Sequence, residues 1–171
     1  MPALDVNHSI PLSMLMKSPS RFQFWWGWLI AVTFGLQLFG IVMFVAPELT
    51  RHVFGFLIFS SSARLDALGE PAVAYITLLH GVLGAVIFGW GVALLFILVG
   101  PFRRGSQEGR RIFVISLLAW FLPDTVYSLW SGFWQNAALN AALAVLFALP
   151  LAATYPDFDT RTDESVRSDA P

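Results

Sequence analysis

Two titratable side chains, His80 and Asp124, lie within apolar stretches of this sequence. An imidazole and a carboxylate that face each other can pass a proton or hold a polar ligand, so these two are the candidate catalytic residues. The alternative is a buried hydrogen bond that only fixes one helix against another. Other polar residues recur in the same stretches, and the candidate ligand-binding set is Gln37, Thr77, His80, Asp124, Tyr127, Ser128 and Asn140.

The composition excludes several other kinds of site. The chain has no Cys, which excludes disulfides, thiolate catalysis, iron–sulfur clusters and Cys-type zinc sites. One histidine and one aspartate fall short of the three protein ligands usual at a catalytic zinc, so we expect no metal. A net charge of −1 gives no basic surface for nucleic acid. Without a glycine-rich phosphate loop after a strand, the sequence predicts no cofactor.

The distribution of charged residues along the chain indicates which segments lie in a membrane and therefore position the candidate site residues. Only 12% of the 171 residues are charged, about half the share of a soluble domain. Of the 10 basic and 11 acidic residues, only Asp124 falls within 22–47, 72–102 or 112–155. This distribution predicts an integral membrane protein.

Four stretches are long enough to cross a bilayer as helices, at about 24–46, 72–99, 112–133 and 137–155. The fold class is therefore all-α: a polytopic membrane protein with four transmembrane helices in an antiparallel bundle. The domain predicted over 22–155 lies between a cytoplasmic arm, 1–21, and an acidic disordered tail, 156–171. The segment 48–70 contains an apolar run of only seven residues, 53–59, which cannot span, so it forms either an interfacial helix on the outer face or a cap over the bundle mouth.

Arginines and lysines near the span ends set the orientation. The link between the second and third spans carries Arg103, Arg104, Arg110 and Arg111 and should lie in the cytoplasm. Both termini are then cytoplasmic, which places eight of the ten basic residues inside. The first twenty residues lack the pattern of a cleavable signal peptide, so we expect the first span to act as an uncleaved anchor.

Small residues at every fourth position let transmembrane helices approach closely. The residues predicted to pack the helices are Gly27, Ala31, Gly35, Gly81, Ala85, Gly89 and Ala93. We interpret them as packing within one bundle; an outward-facing stripe would instead mark a partner subunit. Pro123 and Pro150 leave the carbonyls of Ala119 and Leu146 without their helical donors, so a neighbouring side chain or water must replace those donors.

The depth of the polar residues predicts where they meet. Gln37, His80 and Asp124 lie eight to ten residues from the outer ends of their spans, so they share a level roughly 12–14 Å deep. Helical spacing places polar residues on one face of each of the first three spans. If these faces meet, they form an outward-opening polar pocket beneath 48–70.

The stretch from Leu79-His80-Gly81 to Gly89-Trp90-Gly91, the residues Asp124-Thr125 and the run Leu149-Pro150-Leu151 carry a family resemblance. Together they resemble small four-helix bacterial membrane proteins of the DoxX-like and BphX-like kind, over about residues 25–155. The resemblance implies a four-helix bundle in a bacterial cytoplasmic membrane. It implies no catalytic residues and no substrate.

The function predicted first is a non-enzymatic small-ligand-binding or accessory subunit with an outward-opening polar pocket. One alternative is a membrane enzyme that acts on a quinone-like, sterol-like or aromatic substrate with Asp124 and His80 as acid and base. Another is a proton-coupled carrier, although the four spans show no clear internal repeat. The expected partners are the lipid bilayer, a small lipophilic or polar ligand, and either further copies of the chain or a larger membrane complex.

Overall fold

The computed structural model describes residues 21–60 and 63–158, and this part of the chain is almost entirely helical. Its helices are α1 (Arg21–Val45), α2 (Pro47–Phe59), α3 (Ala63–Asp66), α4 (Glu70–Ile97), α5 (Gln107–Trp130) and α6 (Trp134–Ala153). A π-helical turn, Leu98–Phe102, follows α4 and contains a kink at Gly100, whose backbone is non-helical (φ −93°, ψ −107°). Nearly all of the predicted arm and most of the predicted tail lie outside the described residues.

Four helices are long and apolar enough to cross a membrane: Arg21–Val45, Glu70–Phe102, Gln107–Trp130 and Trp134–Ala153. They confirm the predicted all-α fold with four spans. The third span begins five residues before the predicted start, because the Ser106 hydroxyl caps the helix by accepting from the Gly109 amide at 3.3 Å. A polar first turn thus precedes the apolar run. The link around Arg103 and Arg104 is called the arginine end, and the opposite end, where α2 lies, the α2 end.

The helix α1 lies between α4 and α6, and α6 in turn packs against α5. Two indoles of α1 bind backbone carbonyls of these neighbours. Trp28 Nε1 donates to the Leu146 carbonyl at 3.1 Å, and Trp26 Nε1 donates to the Leu98 carbonyl at 2.9 Å. Leu146 is the carbonyl that Pro150 deprives of its helical donor, so the predicted replacement donor is confirmed there.

The helices α1 and α4 approach each other closely at Gly40 and Gly84. A Cβ added at Gly40 would meet the Gly84 carbonyl oxygen at 2.8 Å, and one added at Gly84 would meet Met43 Cβ at 2.6 Å. Both distances are too short for a side chain. The pair therefore allows the two backbones to touch.

The stripe predicted to pack the bundle lies elsewhere. An added Cβ would meet nothing within 4 Å at Gly27, Gly35 or Gly89, and the stripe's alanines are also exposed. Gly81 is half-buried, with Pro47 Cβ 3.9 Å from an added Cβ. The role predicted for this stripe, packing the helices of one bundle, is thus corrected. The helix α4 carries two sets of small residues, and the set with Gly84 and Gly91 faces α1.

The segment 48–70 contains α2, which lies across the end of the bundle. Phe54 contacts the rings of Phe39 on α1 and His80 on α4, with centroids 6.2 and 5.8 Å away. Arg51 is 6% exposed and pairs with Asp66 at 2.8 Å. The opposite face exposes large apolar side chains, those of Leu49, Val53 and Phe56. The helix α2 is therefore both a cap and an apolar surface element, which combines the two structures considered for this segment.

The core lies mainly toward the arginine end, where all four spans contribute. Phe102, Phe113 and Phe147 are fully buried, and Phe158 packs on Phe102 with ring centroids 4.9 Å apart. Because 155–158 form a further helical turn and Phe158 is 2% exposed, the folded part extends beyond the predicted boundary at residue 155. In the third span only 11% of the most apolar window is buried, so α5 exposes most of its apolar surface.

We expect Gly84→Ala to destabilise the protein, because its methyl group would collide with α1. The cost should be about 1–3 kcal/mol, as for other overpacked sites. Gly89→Ala is the matched control, since an added Cβ there has open space. Thermal unfolding in nanodiscs measures both variants, and equal stability of the two would contradict the α1–α4 contact.

Trp28→Phe should lower stability by about 1 kcal/mol, because it removes the donor to the Leu146 carbonyl while keeping an aromatic ring. Trp130→Phe is the control, as Trp130 is 84% exposed. Denaturant titration in detergent compares the two. An unchanged midpoint for Trp28→Phe would show that another donor satisfies this carbonyl.

Candidate functional site

Asp124, Ser128 and Asn136 form a hydrogen-bonded group, here called the Asp124 cluster, between α5 and α6 at the α2 end. The Asn136 amide donates to Asp124 Oδ1 at 3.0 Å and to Ser128 Oγ at 2.8 Å. Ser128 Oγ donates to the Asp124 carbonyl at 2.7 Å and lies 3.3 Å from Oδ1. The cluster thus links the two helices through neutral donors.

The turn between α5 and α6 positions this cluster. Gly132 has φ +83°, a left-handed conformation that residues with a Cβ adopt at a cost. The Phe133 amide donates to the Ser128 carbonyl at 2.8 Å, and the Gly132 amide to the Leu129 carbonyl at 3.2 Å. This is the Schellman pattern of a helix end. Because α6 begins directly after this turn, Asn136 in the first turn of α6 faces back toward Ser128.

One oxygen of the Asp124 carboxylate is left open. Both side-chain donors to the carboxylate lie at Oδ1, and across residues 21–60 and 63–158 no donor reaches Oδ2. Asp124 is half-buried, and the described structure gives it no cationic partner. A carboxylate has room for about four hydrogen bonds, so Asp124 can accept one from a ligand, or carry a proton at Oδ2.

His80 lies in a different contact, between α4 and α2. Its Nδ1 is 2.8 Å from the Ile76 carbonyl oxygen, and its ring packs edge-on against Phe54. Since a carbonyl only accepts, Nδ1 is the donor in this contact. In the described part of the chain, no recorded contact joins His80 to Asp124. Proton exchange between the two stays a prediction.

Three further polar side chains are buried among the spans. Thr33 is 0% exposed with no partner for its hydroxyl in the described structure, and Gln37, one turn further along α1, is 7% exposed. An added Cβ at Gly91 would meet Gln37 Cγ at 2.5 Å, so a glycine on α4 makes room for this amide. Asn140 of α6 is 6% exposed, and its amide makes a long bond of 3.5 Å to Thr125 Oγ1.

The antiparallel register brings Thr33 and Asn140 to a similar depth, with Gln37 one helical turn, about 6 Å, nearer the α2 end. The Trp28–Leu146 bond aligns α1 with α6. Moving five residues toward the α2 end, about 7.5 Å, leads to Thr33 on α1 and to position 141 on α6, next to Asn140. Buried polar groups without partners are costly in an apolar interior. In the layer of Thr33, Gln37 and Asn140, the Thr33 hydroxyl is the buried group without a partner in the described structure, so it has capacity to bind water or a small hydrogen-bonding molecule.

The remaining predicted site residues lie apart from these groups. Tyr127 is 64% exposed and packs on Trp130. Thr77 lies in an apolar groove of about 550 Å³ between the end of α1 and the first half of α4. This groove, lined also by Phe44, Gly81 and Ala85, is not the polar pocket expected beneath α2.

The site predicted from the sequence omits Thr33 and Asn136. The predicted loop between the third and fourth spans includes Asn136, but the tight turn at Gly132 brings this residue into α6 and onto the carboxylate. Thr33 lies one turn before Gln37, on the polar face that helical spacing predicts for the first span. Among the described residues, no three His, Asp or Glu side chains group closely enough to hold a metal ion.

Comparisons with known proteins add no relative: no family model matches this chain, and neither the curated proteins nor the solved structures contain a match.

Proposed function

We propose that this membrane protein is a non-enzymatic ligand-binding or accessory subunit that holds a small hydrogen-bond donor at the Asp124 cluster. The observation that carries this proposal is the open Oδ2 of a half-buried carboxylate whose other oxygen is fixed by Ser128 and Asn136. Neutral donors on one side leave the negative charge available to a ligand on the other. A protonated amine is the ligand chemistry that such a group favours.

Binding is favoured over acid–base catalysis by the partners of the two titratable residues. The described contacts of His80 lie on α2 and α4, and those of Asp124 on α5 and α6. A catalytic pair would have to reach one reacting group. The buried layer of Thr33, Gln37 and Asn140 adds neutral hydrogen-bonding capacity to the interior, which suits a binding protein.

Asp124→Asn tests this proposal, because the amide has the same shape but lacks the charge. In nanodiscs, ethanolamine should raise the thermal midpoint of the parent, while tetramethylammonium, which has no N–H donor, should not. Asp124→Asn should lose the ethanolamine effect, whereas Tyr127→Phe, an exposed change on the same helix, should keep it. An equal response of the parent and Asp124→Asn would refute a ligand at this carboxylate.

We further propose that the protein lies in a bacterial cytoplasmic membrane with both termini in the cytoplasm. Support comes from the four arginines at the arginine end and from the resemblance to DoxX-like and BphX-like proteins. The arm and the tail add four more basic residues to the same side.

Single cysteines test this orientation directly, because the chain has none of its own. Glu108→Cys lies at the arginine end and Ser131→Cys at the α2 end, and both positions are exposed. In intact cells a membrane-impermeant maleimide should label Ser131→Cys, and Glu108→Cys only after the membrane is opened. The reverse pattern would invert the topology.

A further inference from the structure

A small pocket lies at the arginine end, between the first turn of α5 and the turn that follows α6. Its lining is Gln107, Arg110, Arg111, Tyr155 and Phe158, and its volume is about 170 Å³. This is smaller than the sites of drug-sized ligands, at about 300–1,000 Å³, but sufficient for a single small headgroup. The pocket lies where the apolar spans meet the basic link, which is the depth of lipid headgroups in a bilayer.

Arg110 is held in place by aromatic rings. Its guanidinium carbon lies 4.6 Å from the ring centroid of Tyr155 and 6.0 Å from that of Phe158. Phe158 is itself buried against Phe102, so this support belongs to the core. Packing over a ring occupies the face of a guanidinium and leaves its N–H groups directed outward in the plane.

The Nε donor of Arg110 is not used by the described protein. This nitrogen is buried and has no hydrogen-bond partner within residues 21–60 and 63–158. The ion pair that the described structure records is Arg51–Asp66, at the opposite end. Arg111 is adjacent to Arg110 and lines the same pocket. Two cations thus share a small cavity, and one of them carries a buried donor without an acceptor.

We propose that this pocket binds a phosphate group, supplied by an anionic lipid headgroup or by a small phosphorylated molecule at the membrane surface. The planar fork of Arg110 matches two phosphate oxygens, and Arg111 adds a second positive charge. A general attraction of the basic link for anions would not require a ring-supported arginine or a buried donor. Basic pockets at the ends of transmembrane helices are suited to such headgroups.

The test uses the full-length protein, stripped of lipid in detergent, and calorimetric titration. The lipid probe is short-chain phosphatidylglycerol, with phosphatidylcholine as the zwitterionic comparison, and the soluble probe is glycerol 1-phosphate. Arg110→Gln should bind phosphatidylglycerol roughly tenfold more weakly than the parent, the loss expected for one charged hydrogen bond. Arg103→Gln is the matched control, because it removes the same charge from the same link but lies outside the pocket, over Trp26.

Each outcome bears on the proposal. Weaker phosphatidylglycerol binding in Arg110→Gln but not in Arg103→Gln supports it. Binding of glycerol 1-phosphate would then show that the phosphate is sufficient. Binding of the lipid but not of glycerol 1-phosphate would identify a membrane headgroup as the ligand. Equal losses in Arg110→Gln and Arg103→Gln would reduce the effect to diffuse charge and overturn the site. No loss in Arg110→Gln would also overturn it, and equal binding of phosphatidylglycerol and phosphatidylcholine, which share the phosphate, would overturn an anionic headgroup as its source.

The acidic residues that follow Phe158 in the sequence are a competing source of negative charge. A full-length variant with Asp159→Asn, Asp163→Asn and Glu164→Gln removes three of these charges. Unchanged or tighter phosphatidylglycerol binding by this variant agrees with a phosphate site. Weaker binding would mean that these carboxylates help to form the site, which contradicts the proposal.

Discussion

Every peptide carbonyl in a lipid environment needs a donor, and α1 supplies one where α6 is interrupted by a proline. Pro150 removes the helical partner of the Leu146 carbonyl in α6, and the π-helical turn at Gly100–Pro101 disturbs the end of α4. The Trp28 indole donates to the Leu146 carbonyl, whereas the Trp26 indole donates to the Leu98 carbonyl, which also accepts from the Arg103 amide at 3.1 Å. Since both belong to one helix, α1 fixes the position of α4 on one side and of α6 on the other. The close contact at Gly40 and Gly84 then determines how near α4 can lie.

The number, type and approximate limits of the spans could be predicted from the sequence because lipid imposes one dominant rule, an apolar run of sufficient length. The limits differed where local chemistry extended a helix, as at the Ser106 cap. The face that each helix turns toward its neighbours could not be predicted. On α4 one set of small residues runs from Gly81 to Ala93 at every fourth position, and a second contains Gly84 and Gly91. Periodicity alone does not say which of the two sets faces α1.

In the candidate site, too, the sequence pattern predicts some features, whereas others depend on tertiary contacts. Helical spacing correctly placed Asp124 and Ser128 on one face of α5, and Gln37 and Asn140 proved to be buried. The partners of these residues depended on other features. The positive φ of Gly132 turns Asn136 onto the carboxylate, and α2 places Phe54 against His80. Depth along a span can be counted in residues, but the direction in which a side chain faces depends on neighbours that the count does not include.

The Schellman turn at Gly132 also has a consequence for the order of assembly. It joins α5 to α6 through only three residues, 131–133, and the Asp124 cluster closes across the same turn. This helical hairpin is built from contacts close in sequence, which form quickly once both helices are inserted. The contact of α1 with α4 instead joins residues separated by α2 and α3, so it closes a longer loop and is expected to form more slowly. The chain thus combines a hairpin closed by local contacts with a helix pair closed over a longer stretch. The Trp28–Leu146 bond joins the two, as does the Trp90 indole, which donates to Ser116 Oγ at 2.8 Å.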